Sequence, residues 1–139
     1  MSRAQQMLQV HSQEIQVDAD ILAACIQVCY ECAQCCTACA DACLGEDNVA
    51  GLSRCIRLNL DCADACAATG SMLSRQTTPN WTLLRAQVDS CVLACQICGD
   101  ECDRHAGTME HCRICVECCR ACDYACSRLL SEIGHMAAV

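Results

Sequence analysis

The sequence predicts an all-α protein: an antiparallel up-down-up-down four-helix bundle with inward-facing cysteine stripes, plus a short N-terminal helical segment. Three observations carry this. Twenty of the 139 residues are cysteine, and almost all recur at spacings of three and four, the period of one face of an α-helix. No stretch shows a run of β-branched alternation, so strands are not expected. Turn signals cluster at only three places and leave four long segments between them.

The first segment, about 17–44, carries Cys25, Cys29, Cys32, Cys35, Cys36, Cys39 and Cys43. At about 100° per residue these fall inside an arc of roughly 120°, a width normally filled by Leu, Ile and Val. The turn-rich link at 45–51 follows, and Gly45 suits a helix C-terminus. In the second segment, about 52–74, Cys55, Cys62 and Cys66 lie within about 40°, with Cys55 isolated near the helix start. Asn59 takes the stripe position between Cys55 and Cys62, where a hydrogen bond to a thiolate would leave a gap in a metal array.

The stretch 69–80 holds Gly70 and the only proline, Pro79, which suits the first turn of a third helix with Thr77 or Thr78 as cap. That helix, about 81–104, places Cys91, Cys95, Cys98 and Cys102 within about 60°. A link containing Gly107 leads to the fourth, about 108–133, where Cys112, Cys115, Cys118, Cys119, Cys122 and Cys126 span about 120°. Residues 1–16 contain Met7, Leu8, Val10 and Ile15, which form either a short amphipathic helix outside the bundle or an extension of the first helix. The whole chain, 1–139, reads as one domain.

Short links make neighbouring helices antiparallel and turn all four stripes inward. At one end the stripes continue as Ile21, Leu73, Leu84, Leu130 and Ile133, near Trp81, and form a hydrophobic plug. At the other lie His105, Met109 and His111 beside the 45–51 link, the natural entrance. His11 and His135 read as surface residues, and Asp61, Asp64, Asp100 and Glu101 as a solvated face. Ile56, Leu60, Leu93 and Ile97 point away from the thiols and suit an interface or a cover for the N-terminal segment.

Composition narrows the function. The 54% hydrophobic content includes the thiols, and there is no Phe, one Trp and two Tyr, so bound metal is expected to stabilise the interior. A net charge of −8 with no lysine argues against nucleic acid and anionic membranes as partners. No apolar run approaches the roughly 20 residues that span a bilayer. Residues 1–16 lack the features of a secretory signal. The expected location is therefore cytoplasmic, where thiols stay reduced and dense cysteine means metal or redox chemistry.

Cysteines at i,i+3 and i,i+4 have Cβ atoms about 5–6 Å apart, so two sulfurs can close on one ion. Soft thiolates select Cu(I), Zn(II) and iron–sulfur clusters. Copper(I) accepts two or three bridging thiolates, which allows roughly one ion per cysteine, and each Cu⁺ replaces one thiol proton, keeping the core near neutrality. Zinc in a four-cysteine site would leave excess buried negative charge. The Cys-Pro ending of ferredoxin-type runs is absent, and helical neighbours align poorly for disulfides.

The ladder Cys25-Ile-Gln-Val-Cys29-Tyr-Glu-Cys32-Ala-Gln-Cys35-Cys36-Thr-Ala-Cys39, echoed from Cys112 to Cys122, resembles the bacterial four-helix-bundle copper storage proteins, in their cytosolic branch. The resemblance covers nearly the whole chain. It implies a homotetramer whose protomers each store many Cu(I) ions along the bundle axis, with the twenty cysteines as ligands and with copper donor or acceptor proteins as further partners. His105, His111 and Met109 would be the mouth through which metal enters. Two other readings compete: a copper chaperone, which normally displays one exposed site, and a thiol redox protein, which would place Cys-x-x-Cys at a helix N-terminus after a strand.

Overall fold

A computed structural model describes residues 1–134 and 136, in the order α1 (Arg3–Gln9), α2 (Ala19–Leu44), a 3₁₀ turn (Val49–Leu52), α3 (Ser53–Leu73), α4 (Trp81–Asp103) and α5 (Glu110–Gly134). No strand occurs among the described residues, and His135 lies outside them. Local chemistry sets the helix starts. Ser2 and Gln5 form a reciprocal capping box on α1. Asp18 Oδ1 accepts from the backbone N–H of Asp20 and Ile21, both at 3.0 Å, and caps α2.

The cap of α4 is Asn80, whose Oδ1 accepts from Leu83 N at 3.0 Å. This differs from the expected Thr77 or Thr78 and leaves Pro79 ahead of the cap, outside the first turn. The helical pattern begins only at Trp81, and the side-chain oxygen just before it is the one able to reach the third helical N–H. Segment α1 is a separate helix packed on α2. The stretch after it is fastened to α4 by the Trp81 indole, which donates to Gln16 Oε1 at 2.8 Å.

Helix α2 packs on α3 and α5 and α4 packs on the same two, while the diagonal pair α3 and α5 meets across the axis through side chains, as Cys66 does with Cys122. The helices run antiparallel, as the facing thiols show: Cys25 meets Cys126, Cys29 meets Cys122, Cys36 meets Cys115 and Cys39 meets Cys112. Residue number rises on α2 as it falls on α5. Cys55, Cys62 and Cys66 of α3 face Cys102, Cys95 and Cys91 of α4 in the same way.

Each helix carries a continuous series of buried positions that alternates spacings of three and four residues. On α2 the buried positions include 22, 25, 29, 32, 36, 39 and 43; on α5, 112, 115, 119, 122, 126, 129 and 133. The stripe through α3 runs 52, 55, 59, 62, 66, 69 and 73, and that of α4 runs 81, 84, 88, 91, 95, 98 and 102. This is the 3.5-residue repeat of supercoiled helices, in which slight underwinding keeps one seam on the axis. It corrects the expected plug: Leu22 and Leu129 keep the repeat and are fully buried, whereas Ile21 and Leu130 fall off it and are half-buried. Leu73, Val88, Leu84 and Ile133 complete that end.

Among the described residues α2 is the one helix that by length and apolarity would pass for a membrane-crossing segment, contrary to the expectation that no segment would. Its apolar character comes largely from cysteine, and all of those thiols but Cys35 are buried in the bundle.

Candidate metal centre

All twenty cysteines are free thiols; eighteen are buried, and Cys35 and Cys118 are half-buried. The two exceptions belong to the doublets Cys35-Cys36 and Cys118-Cys119. Adjacent helical residues differ by about 100°, so only one of each doublet can hold the inner seam, and the repeat assigns it to Cys36 and Cys119. Cys35 and Cys118 therefore sit at the edge of the stripes in which the sequence grouped them. We expect them to react first when the reduced protein is treated with a charged maleimide and its peptides are weighed. Equal labelling of all twenty thiols would show instead that the bundle opens on that timescale.

Within the core, sulfur contacts run mainly between helices. Cys25 and Cys126 Sγ atoms are 3.2 Å apart, Cys36 lies 3.7 Å from Cys115 and 3.8 Å from Cys119, and Cys66 lies 3.7 Å from Cys95 and 3.9 Å from Cys122. Same-helix pairs such as Cys32/Cys36 at 3.8 Å link successive levels. Groups of four sulfurs lie within 4.8 Å of one another: Cys29, Cys91, Cys122 and Cys126; Cys32, Cys66, Cys95 and Cys122; Cys32, Cys36, Cys62 and Cys119; Cys36, Cys98, Cys115 and Cys119. Shared members make these a continuous column. The reading from sequence, in which an ion lies between two thiols of one helix, misses this cross-helix character.

Crowded thiols share protons unequally. Cys25 is drawn down to about 6, first by the hydrogen bond with Cys126 and then by that with Cys29. Cys55 is drawn down to about 3 by Cys102 and then Cys39. Cys126 and Cys102 move upward, with the neighbours Cys122 and Cys115 as the leading causes. Burial, followed by charge at Cys55 and Cys43, pushes Cys112 up to about 12. Each lowered thiol is thus stabilised as thiolate by an S–H that stays protonated, and a soft cation can take that proton's place.

Asn59 is fully buried at the heart of this column. Its Oδ1 accepts from Cys98 at 3.0 Å, Cys115 at 3.1 Å and Cys102 at 3.4 Å, and its Nδ2 donates to Cys55 Sγ at 3.6 Å. The sequence places it on the stripe, and the structure shows that it touches thiols of three helices.

At the other end of the column from the plug, His111 Nδ1 lies 3.4 Å from Cys39 Sγ and 3.6 Å from Cys112 Sγ, and its Nε2 lies 3.1 Å from Glu46 Oε1. Cys39, Cys43, His111 and Cys112 place their ligand atoms within 4.8 Å of one another. His105 Nε2 lies 2.9 Å from Glu101 Oε2. Met109 is buried, 8% exposed, within the core cluster. Glu101 departs from the expected solvated face: its side chain is 7% exposed and its Oε1 receives Arg54 at 3.1 Å and Arg104 at 3.5 Å. Asp100, by contrast, is exposed and pairs with Arg120 at 2.7 Å. Glu46 and Glu101 are the site residues that sequence reasoning missed. A carboxylate four residues before His105 was a legible signal for one, while Glu46 lies 65 residues from the histidine it meets.

A four-helix bundle whose inner repeat is built of thiols defines a multi-thiolate binder of soft metal ions. The family model for copper storage proteins matches residues 18–131, and the chain belongs to that family. It is similar to the structure of the copper storage protein Ccsp from Streptomyces lividans loaded with 10 copper equivalents, at 48% identity and a TM-score of 0.91, covering 93% of this chain and 98% of that one. A Streptomyces lividans structure described as copper loading to a cytosolic copper storage protein, with five coppers, shares 54% identity over 81% of this chain and 93% of that one, with a TM-score of 0.80. A histidine-to-alanine mutant of Ccsp shares 53% identity over 84% of this chain and 98% of that one, with a TM-score of 0.83. No curated protein matches the chain significantly.

Proposed function

We propose that this chain, as one domain, is a cytosolic, non-enzymatic store that holds many Cu(I) ions along its axis and so keeps them from harming the cell. The observation that carries the reading is the continuous column of buried thiols in overlapping groups of four. Cu⁺ is a soft d¹⁰ ion that accepts bridging thiolates, and replacing one proton by one Cu⁺ leaves buried charge unchanged. All twenty cysteines are the proposed ligands, with Cys35 and Cys118 at the edge and Cys55 3.8 Å from Cys102. His105, His111 and Met109 form the proposed route in. Exposed Leu60, Leu93 and Ile97 on the outer faces of α3 and α4 support a homotetramer, and sedimentation of the reduced protein as a monomer alone would remove that part.

An anaerobic titration of the reduced protein with Cu(I), followed by thiolate-to-copper charge-transfer absorbance and competition with a strong chelator, tests the reading. Saturation near roughly one ion per thiol, withheld from the chelator, is the expected result. Saturation at one or two ions would favour a chaperone or a thiol redox protein. Replacing both mouth histidines, His105→Ala with His111→Ala, should change uptake or release rates several-fold with capacity nearly intact. A large loss of capacity at unchanged rates would contradict the assigned route.

A further inference from the structure

We propose that Glu46 is a positioning residue of the mouth, fixing the tautomer and direction of the His111 imidazole before any copper arrives. The proposal rests on the storage reading for its consequence, and on geometry for its content. A neutral imidazole has one N–H donor and one lone-pair nitrogen, and the hydrogen bond at one nitrogen decides the role of the other. A carboxylate can only accept. With Glu46 Oε1 3.1 Å from Nε2, the proton resides on Nε2 and the lone pair on Nδ1. Nδ1 is the nitrogen that faces Cys39 and Cys112 at 3.4 and 3.6 Å. The opposite tautomer would point an N–H at the thiols, and the imidazole could then not join them as a ligand.

The chain holds this carboxylate in place from α2. Glu46 follows Cys43 by three residues, and its own backbone N–H donates to Cys43 O at 3.2 Å, while Gly45 N donates to Ala42 O at 3.1 Å. The 45–51 link therefore leaves α2 in a fixed turn that reaches across to the first turn of α5. The two mouth histidines are not equivalent in this respect. Glu101, the acceptor for His105, is shared with Arg54 and Arg104, whereas the Glu46 side chain has His111 as its partner among the described contacts. A carboxylate behind a metal-binding histidine is worth about 10- to 100-fold in metal affinity or activity where it has been removed.

The test uses the whole chain and five forms: wild type, Glu46→Ala, Glu46→Gln, His111→Ala, and Glu46→Ala with His111→Ala. Nitrogen-15 NMR of the imidazoles in the reduced, metal-free protein is expected to show His111 protonated on Nε2 in wild type and in Glu46→Gln, whose amide oxygen still accepts, and a mixture of tautomers in Glu46→Ala. Stopped-flow mixing with substoichiometric Cu(I) is expected to show the first loading phase slowed about 10-fold by Glu46→Ala, largely restored in Glu46→Gln, with total capacity unchanged. On the His111→Ala background, Glu46→Ala should add nothing. An unchanged tautomer in Glu46→Ala, or a slowing that persists in full without His111, overturns the proposal. Circular dichroism separates either result from loss of fold. Should the protein take up no Cu(I), the storage reading fails, and the NMR result still decides the role of Glu46.

Discussion

Filling the core with Cu(I) is expected to raise the unfolding temperature of this protein by tens of degrees, more than any single substitution changes it. A ligand that binds only the folded state stabilises by about 4 kcal/mol per site when present at about a thousand times its dissociation constant. Small domains have total stabilities of only about 5–15 kcal/mol, so a few ions suffice to exceed the stability of the metal-free chain. The effect is large here because the inner seam spends most of its positions on cysteine, a small side chain that buries little apolar area. Scanning calorimetry of metal-free, partly loaded and loaded protein, with the last also stripped by chelator, measures it. A rise of less than about 5 °C on full loading would mean that unfolded cysteines bind copper nearly as well as the folded column does, and the column would then not be a preformed store.

Loading should also acidify an unbuffered solution, because every ligand still present as a thiol surrenders its proton. The direction of the pH dependence follows. Cys112, pushed up to about 12, is protonated throughout the neutral range, so lowering the pH adds competitors at such sites and weakens uptake. Raising it favours uptake.

The second large effect is expected at the plug. Leu129→Ala should destabilise the metal-free protein by about 2–5 kcal/mol in urea unfolding, the usual cost of a cavity at a fully buried leucine. Leu129 is 0% exposed and belongs to the short apolar set, with Leu22, Leu73, Val88 and Ile133, that closes one end of the column. With few large side chains elsewhere along the axis, this end supplies much of the metal-free core. Copper capacity should stay near the wild-type value, since no thiol is removed, and the loss should be partly masked once the protein is loaded. A cost under about 1 kcal/mol would place the metal-free stability elsewhere. A parallel fall in capacity would show that the plug and the thiol column are one cooperative unit.

Much of this molecule can be read along the chain. Helices appear because Ala, Cys, Leu, Gln, Glu and Arg fill segments of 21 to 26 residues without an internal proline, and the thiol face appears because spacing of three and four is a local property. Even the exclusion of Cys35 and Cys118 from the inner seam follows from the alternation of three and four, once a repeat of 3.5 is used. A wheel at 3.6 residues per turn drifts by about 20° per heptad, so over three heptads it blurs the boundary between the inner seam and the adjacent Cys35 and Cys118.

The sequence by itself thus determined the helical class, the turn positions, the one thiol-bearing face of each helix and the resemblance to copper storage proteins. Only the tertiary structure decided which thiols of different helices become neighbours, as Cys36 does with Cys115, and which thiols of α4 and α5 reach the Asn59 amide. It also decided that Glu101 is buried against two arginines and that Glu46 meets His111. The physical reason is range. Periodicity is fixed by backbone geometry within a turn or two, whereas the lateral register of one helix on another is set by side chains far apart in the chain, and no local rule carries that information.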